Sequence, residues 1–103
     1  LRPGLWSLKE VGAPASQKPK SLCLTGASSV PLVQVEHGGT ACSAYVLEDG
    51  AARLGVSYDC GARGHGVTHI RMETRQLLQL NTQGIKGDAP FAHQYEGRWV
   101  GQC

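Results

Sequence analysis

Four cysteines, Cys23, Cys42, Cys60 and Cys103, fall in a chain of 103 residues with no C-x-x-C pair among them. An even set at wide spacing lacks the tight ligand pairs of zinc sites and thioredoxin-like centres, so it predicts two disulfides formed in an oxidising compartment. A chain this short makes one domain, and its single core gives only modest stability. Each bridge would add about 2 to 4 kcal/mol. The composition points the same way: 14 glycines and only 6% aromatic residues leave few large side chains to fill a core.

Four cysteines allow three pairings. Pairing Cys42 with Cys60 and Cys23 with Cys103 is favoured, because the first pair bounds one hairpin. It meets a register difficulty. A two-residue Asp49-Gly50 turn places Cys42 opposite Ser57, so a bridge to Cys60 requires a shifted register, a bulge at Gly55 or flexible strand ends.

The hydrophobic pattern is that of short strands almost throughout. Leu5 to Lys9 follows Pro3-Gly4, residues 10 to 20 read as a loop, and Ser21-Leu22-Cys23 is a short strand. Between Leu24 and Thr40 the signals are mixed, and Leu32 to Val35 suits a strand or a buried turn of helix. Cys42 to Glu48 and Ala52 to Tyr58 flank Asp49-Gly50, a preferred primed turn. Leu54, Val56 and Tyr58 then share one face. Gly61 to Gly64 makes the next turn, and Val67 to Thr74 sets Ile70, Met72 and Thr74 against His69, Arg71 and Glu73. Leu77 and Leu80 also suit a helical period, but Asn81-Thr82 and Gly84 favour strand and turn. Phe91 to Trp99 is the last strand, with Phe91, His93 and Tyr95 on one face. The expected fold is all-β: a curved antiparallel meander of about seven strands, a partly closed small barrel stapled by disulfides. Gly4 and Trp6 are expected in its core, the glycine for close backbone approach and the indole as a plug at one end.

Net charge is +2, and the ten Lys and Arg are dispersed from Arg2 to Arg98 without a basic stripe, which argues against nucleic acid. No apolar run approaches the roughly 18 to 20 residues that span a bilayer, so no transmembrane segment is expected. Residues 1–103 are read as a single exported β domain, periplasmic or secreted, in its mature form with the signal peptide gone.

Taken together in order, "RPGLW" near the start, a first cysteine in "LCLT", the Cys42 to Cys60 hairpin and the closing "GRWVGQC" resemble a family of small exported bacterial proteins catalogued as domain of unknown function 3617. The resemblance spans the chain in outline. It implies a periplasmic protein with a curved antiparallel sheet and no established activity. Three positions depart from the family's usual pattern: Ser7 stands where an acidic residue is common, Trp99 where a second basic residue is common, and Gln102 where aspartate is common.

No pattern of catalytic chemistry emerges. His65 and His69 are four apart, about 13 Å along an extended strand and too far to share one ion, and with His37 and His93 they read as solvated strand residues; no metal or cofactor is expected. Ser28, Ser29, Ser43 and Ser57 lack a nucleophile elbow. Glu73 and Glu96 could be imagined as paired carboxylates, but a wet sheet face explains them. "CGARGHG" is glycine-rich yet followed by a strand, so it is a tight turn rather than a phosphate loop.

The expectation is a non-catalytic protein of the cell envelope that binds a small apolar or amphipathic ligand. The alternative is a protein-binding inhibitor or adaptor acting on a periplasmic or cell-wall enzyme, with Arg63 and His65 on the Gly61 to Gly66 turn as its contact. Exposed sheet edges, such as one at Leu5 to Lys9, make a homodimer by strand pairing a further expectation.

Overall fold

The computed structural model describes residues 1–26 and 42–103. The expectation for Leu32 to Val35 lies outside the described residues. Seven strands form one sheet: β1 (Gly4–Glu10), β2 (Lys20–Leu24), β3 (Ser43–Asp49), β4 (Arg53–Asp59), β5 (Gly64–Met72), β6 (Leu77–Lys86) and β7 (Ala89–Gly101). Their order is β2-β1-β7-β6-β5-β4-β3, and every neighbouring pair is antiparallel. A 3-10 turn, Gly61–Arg63, joins β4 to β5.

The sheet is open among the described residues, so the barrel part of the expectation is not borne out. β2 and β3 are the two edges, and among the described residues no ladder joins them. With seven strands alternating in direction, these edges run the same way, so closure would need one parallel pair in an otherwise antiparallel sheet. The position of β1 is a second correction. Leu5 to Lys9 is not an edge, because β1 lies between β2 and β7.

The sheet nevertheless curls. Trp6 and Leu8 of β1 and Leu24 of β2 share one core cluster with Leu54 and Val56 of β4. β1 and β4 are four places apart in the sheet, a separation of about 19 Å if it were flat. Curling carries the start of the chain to the β3–β4 loop, where the Leu1 ammonium donates to the Ala51 carbonyl at 3.0 Å. Ladder pairing fixes the inward rows: Leu54, Ile70, Leu80 and Tyr95 lie side by side across β4 to β7, and all four are buried. The next row is Val56, Thr68, Thr82 and His93, in which the two threonine hydroxyls bond to each other at 2.9 Å. The row beyond is Tyr58, Gly66, Gly84 and Phe91. Here glycine is required by space. A β-carbon on Gly84 would collide with the His65 carbonyl oxygen, and one on Gly66 would lie 2.7 Å from Tyr58 Cζ, so the tyrosine ring occupies the room that the glycine leaves.

The two ends of the chain fasten to each other. Trp6 is fully buried and paired directly with Trp99, after a bulge that extrudes Val100. The Trp6 indole N–H donates to the Arg2 carbonyl at 3.0 Å, and the Trp99 indole N–H donates to the Pro3 carbonyl at 3.1 Å. The Arg2 guanidinium lies 3.5 Å from the centre of the Trp99 ring, a cation–π contact. Gly4 has φ +148°, and a β-carbon there would strike the Trp99 indole. The opening "RPGLW" and the closing "GRWVGQC" thus form one packed unit. Cys23 of β2 pairs with Cys103, which follows β7, so this disulfide acts as a strap linking the two strands that flank β1.

Candidate interaction surface

Among the described strands, β3 is the one whose every residue is exposed. Among the described residues it pairs only with β4, and its inward residues Ala44 and Val46 lie opposite Tyr58 and Val56, which are buried. Burial therefore stops one strand short of the edge. Tyr45, Val46 and Leu47 are 63%, 56% and 58% exposed, three consecutive large apolar residues on the sheet margin. Among the described residues nothing pairs with the outer side of this strand. Exposed apolar edges are what soluble β-proteins ordinarily cover or blunt.

The local geometry comes from the hairpin. Three residues, Gly50 to Ala52, separate the strands rather than the two expected, with the Gly50 N–H donating to the Arg53 carbonyl at 2.8 Å. The register then shifts between Val46 and Glu48, so the bulge lies at Leu47 on β3, whereas one at Gly55 on β4 was a proposed remedy. Together these changes carry Ser43 opposite Asp59 and bring Cys42 next to Cys60, which form a disulfide at the start of the hairpin. The register difficulty seen in the sequence is resolved by a longer loop and a bulge on the other strand.

The Gly61–Arg63 turn adjoins this end of β3. The Asp59 carboxylate accepts from the Gly61 N–H at 2.8 Å, and Gly61 has φ +66°. The Arg63 carbonyl accepts from the Gly87 N–H at 2.8 Å, which ties this turn to the one between β6 and β7. Arg63 and His65 are both exposed. They stand at the rim of the β3 edge, while Glu48 and Asp49 stand at its other end.

On the outer face, His69 lies opposite Gly55, and a β-carbon on Gly55 would sit 3.0 Å from the imidazole Nδ1. His69 and Asn81 line two adjoining shallow depressions of about 560 and 450 Å³. His65 and His69 occupy one face of β5, two strand repeats apart. Among the described residues no three of His, Cys, Asp and Glu gather as metal ligands; His37, Ser28 and Ser29 lie outside the described residues. Glu73 and Glu96 are not a pair. Each bonds an arginine two residues away, Arg71 at 3.0 Å and Arg98 at 2.9 Å.

One carboxylate is held more firmly. The His93 Nδ1–H donates to Glu10 Oε1 at 2.6 Å, and the Gln17 amide donates to Oε2 at 3.2 Å. The His93 bond foremost, then that from Gln17, holds the Glu10 carboxyl below its ordinary pKa. The group joins β1 to β7 where β1 ends, and Lys20 adds a positive charge nearby. Its place between strands makes it a structural clamp.

The sequence signal for β3 was present in a different form. Tyr45-Val46-Leu47 breaks the alternation expected of a strand with one wet face. That continuity reads as an ordinary hairpin strand until the topology places it at a margin.

With both end motifs joined in one unit and the two disulfides placed, the comparison with known families is direct: the model for proteins of unknown function numbered DUF3617 matches residues 1–103. The chain belongs to the DUF3617 family. No curated protein and no solved structure matches it. In this DUF3617 chain, Trp99 forms the platform on which Arg2 stacks. Two disulfides in a chain with no apolar membrane-spanning helix among the described residues are compatible with an extracytoplasmic protein.

Proposed function

We propose that this DUF3617 protein is a non-catalytic periplasmic module that works by binding another polypeptide along the edge of β3. The observation that carries this is the exposure of Tyr45, Val46 and Leu47 on an edge strand whose inward partners across the ladder, Val56 and Tyr58, are buried. Strand addition suits such an edge: main-chain hydrogen bonds supply affinity, and alternate side chains supply selection. Arg63 and His65, the contact expected from sequence, become the charged rim of this surface. The Cys42 to Cys60 disulfide fixes the strand's start and reduces the ordering cost of association. The absence of a gathered acid, base and nucleophile among the described groups favours binding over catalysis.

Photo-crosslinking residues placed at Tyr45 and Leu47, with Lys9 as a control position, test this in the native compartment. A defined protein adduct from the two β3 positions and none from Lys9 supports it. If the β3 positions give no protein adduct, the edge is not the working surface.

A second function, binding a small amphipathic anion, is favoured by one depression. About 590 Å³ lies between Leu1, Pro3, Ala51, Ala52 and Met72, lined also by Arg2, Arg75 and Glu73, whose carboxylate is bonded to Arg71. Tryptophan fluorescence titrated with a fatty acid tests it, since Trp99 stacks on Arg2. An unchanged spectrum removes it.

A further inference from the structure

The edge of β3 has a symmetry that selects among polypeptide partners. We propose that its occupant is a second copy of the chain, paired antiparallel through β3 about a two-fold axis centred on Tyr45; this rests on β3 being the working surface.

The centre follows from geometry. A two-fold axis perpendicular to a sheet maps each face onto itself, so residues facing each other across it must point to the same side. Only pairings centred on a residue satisfy this. The ladder is regular from Ser43 to Val46 and disturbed at Leu47, and of the two residues in the middle of that stretch, Ala44 and Tyr45, Tyr45 is the one that centres the exposed apolar side chains on their copies. Ala44 then faces the partner's Val46, both inward residues, and Tyr45 faces its own copy on the outer side. The exposed apolar run is covered by itself.

Charge selects the direction. Residues 43 to 47 carry no charge, and Glu48 and Asp49 follow at one end. Parallel pairing would set these carboxylates against their copies. Antiparallel pairing separates them and brings each pair beside the other copy's Cys42 to Cys60 end, where the Asp59 carboxylate is engaged by the Gly61 N–H and Arg63 is exposed and, among the described residues, makes no ion pair. Arg63 therefore meets Glu48 and Asp49 across the axis twice, once in each direction.

The Leu47 bulge limits the pairing to a short stretch. Such a contact falls at the small end of specific interfaces, and a micromolar, concentration-dependent dimer is expected.

Sedimentation equilibrium of the oxidised protein from about 10 to about 500 μM measures this directly. The expected result is a monomer–dimer equilibrium. Tyr45→Asp sets like charges together at the axis and weakens association at least about tenfold. Tyr45 is exposed, so this variant keeps its fold, which circular dichroism verifies. Arg63→Glu also weakens association, and combining it with Glu48→Lys and Asp49→Lys restores it. A monomer throughout the range overturns the proposal, as does a dimer that Tyr45→Asp leaves intact. A monomer whose β3 positions still crosslink to a different protein overturns the second copy alone and leaves the binding edge standing.

Discussion

His93 and Glu10 lie 83 positions apart in the chain and 2.6 Å apart in space, joining the end of β1 to the middle of β7. Because the Glu10 carboxyl is held below its ordinary pKa, its ionised form favours the folded state. The stabilisation is complete above the unfolded carboxyl value of about 4.3 and is lost as pH falls through the lower folded value. Thermal melts should therefore separate wild type from Glu10→Gln by a constant margin at neutral pH. The margin should shrink below about pH 4.3, as the wild-type carboxylate is protonated. Equal pH profiles for the two proteins would show that the pair contributes nothing.

Much of the architecture is legible in the sequence because its period is local. The alternation of Leu54, Val56 and Tyr58 assigns them to one face, and all three are buried. The pairing of rows is not local. Asn81, Thr82 and Gly84 have the composition of a strand running into a turn, yet β6 continues through them to Lys86. Thr82 is held by Thr68, and Gly84 is matched to Gly66, partners that no window around residue 82 contains. The edge at β3 is hidden for the same reason. Tyr45 to Leu47 is an unremarkable run until strand order places it at a margin and β1 in the interior.

The glycines of the Tyr58 row make a steric prediction. Gly84→Ala drives a methyl group into the His65 carbonyl across the ladder, where no side chain can yield. A loss of about 3 kcal/mol is expected, at the upper end for overpacking. Gly87→Ala, in the following turn, meets nothing within 4 Å but holds φ +62°, so it tests conformation without crowding. It should cost about 1 kcal/mol, in the range for a non-glycine residue in the left-handed region. Urea denaturation distinguishes the two, and equal losses would refute the steric account.

The strap and the hairpin disulfide should differ in strength. Cys23 and Cys103 are 80 residues apart, against 18 for Cys42 and Cys60. On chain entropy alone, the longer closure is worth about 4.5 kcal/mol and the shorter about 3 kcal/mol. Replacing each pair with serine and comparing midpoints in guanidinium tests the order. A Cys42→Ser, Cys60→Ser protein less stable than its Cys23→Ser, Cys103→Ser counterpart would show that native contacts at the hairpin outweigh loop length.

Thr68 and Thr82 supply the sharpest test of the buried polar row. Each hydroxyl is almost fully buried and bonds the other at 2.9 Å. Thr82→Val removes one partner and leaves the Thr68 hydroxyl desolvated among Val56, Ile70 and Leu80, at a cost of about 1 to 3 kcal/mol. Thr68→Val does the same in reverse. Changing both replaces a hydrogen-bonded pair with two apolar groups of nearly the same shape, and the cost should fall close to zero. The double variant is thus expected to be more stable than either single one, a coupling that a thermodynamic cycle reads directly. Additive losses would mean that the two hydroxyls are satisfied independently, and that the row is held by its methyl groups rather than by the bond between them.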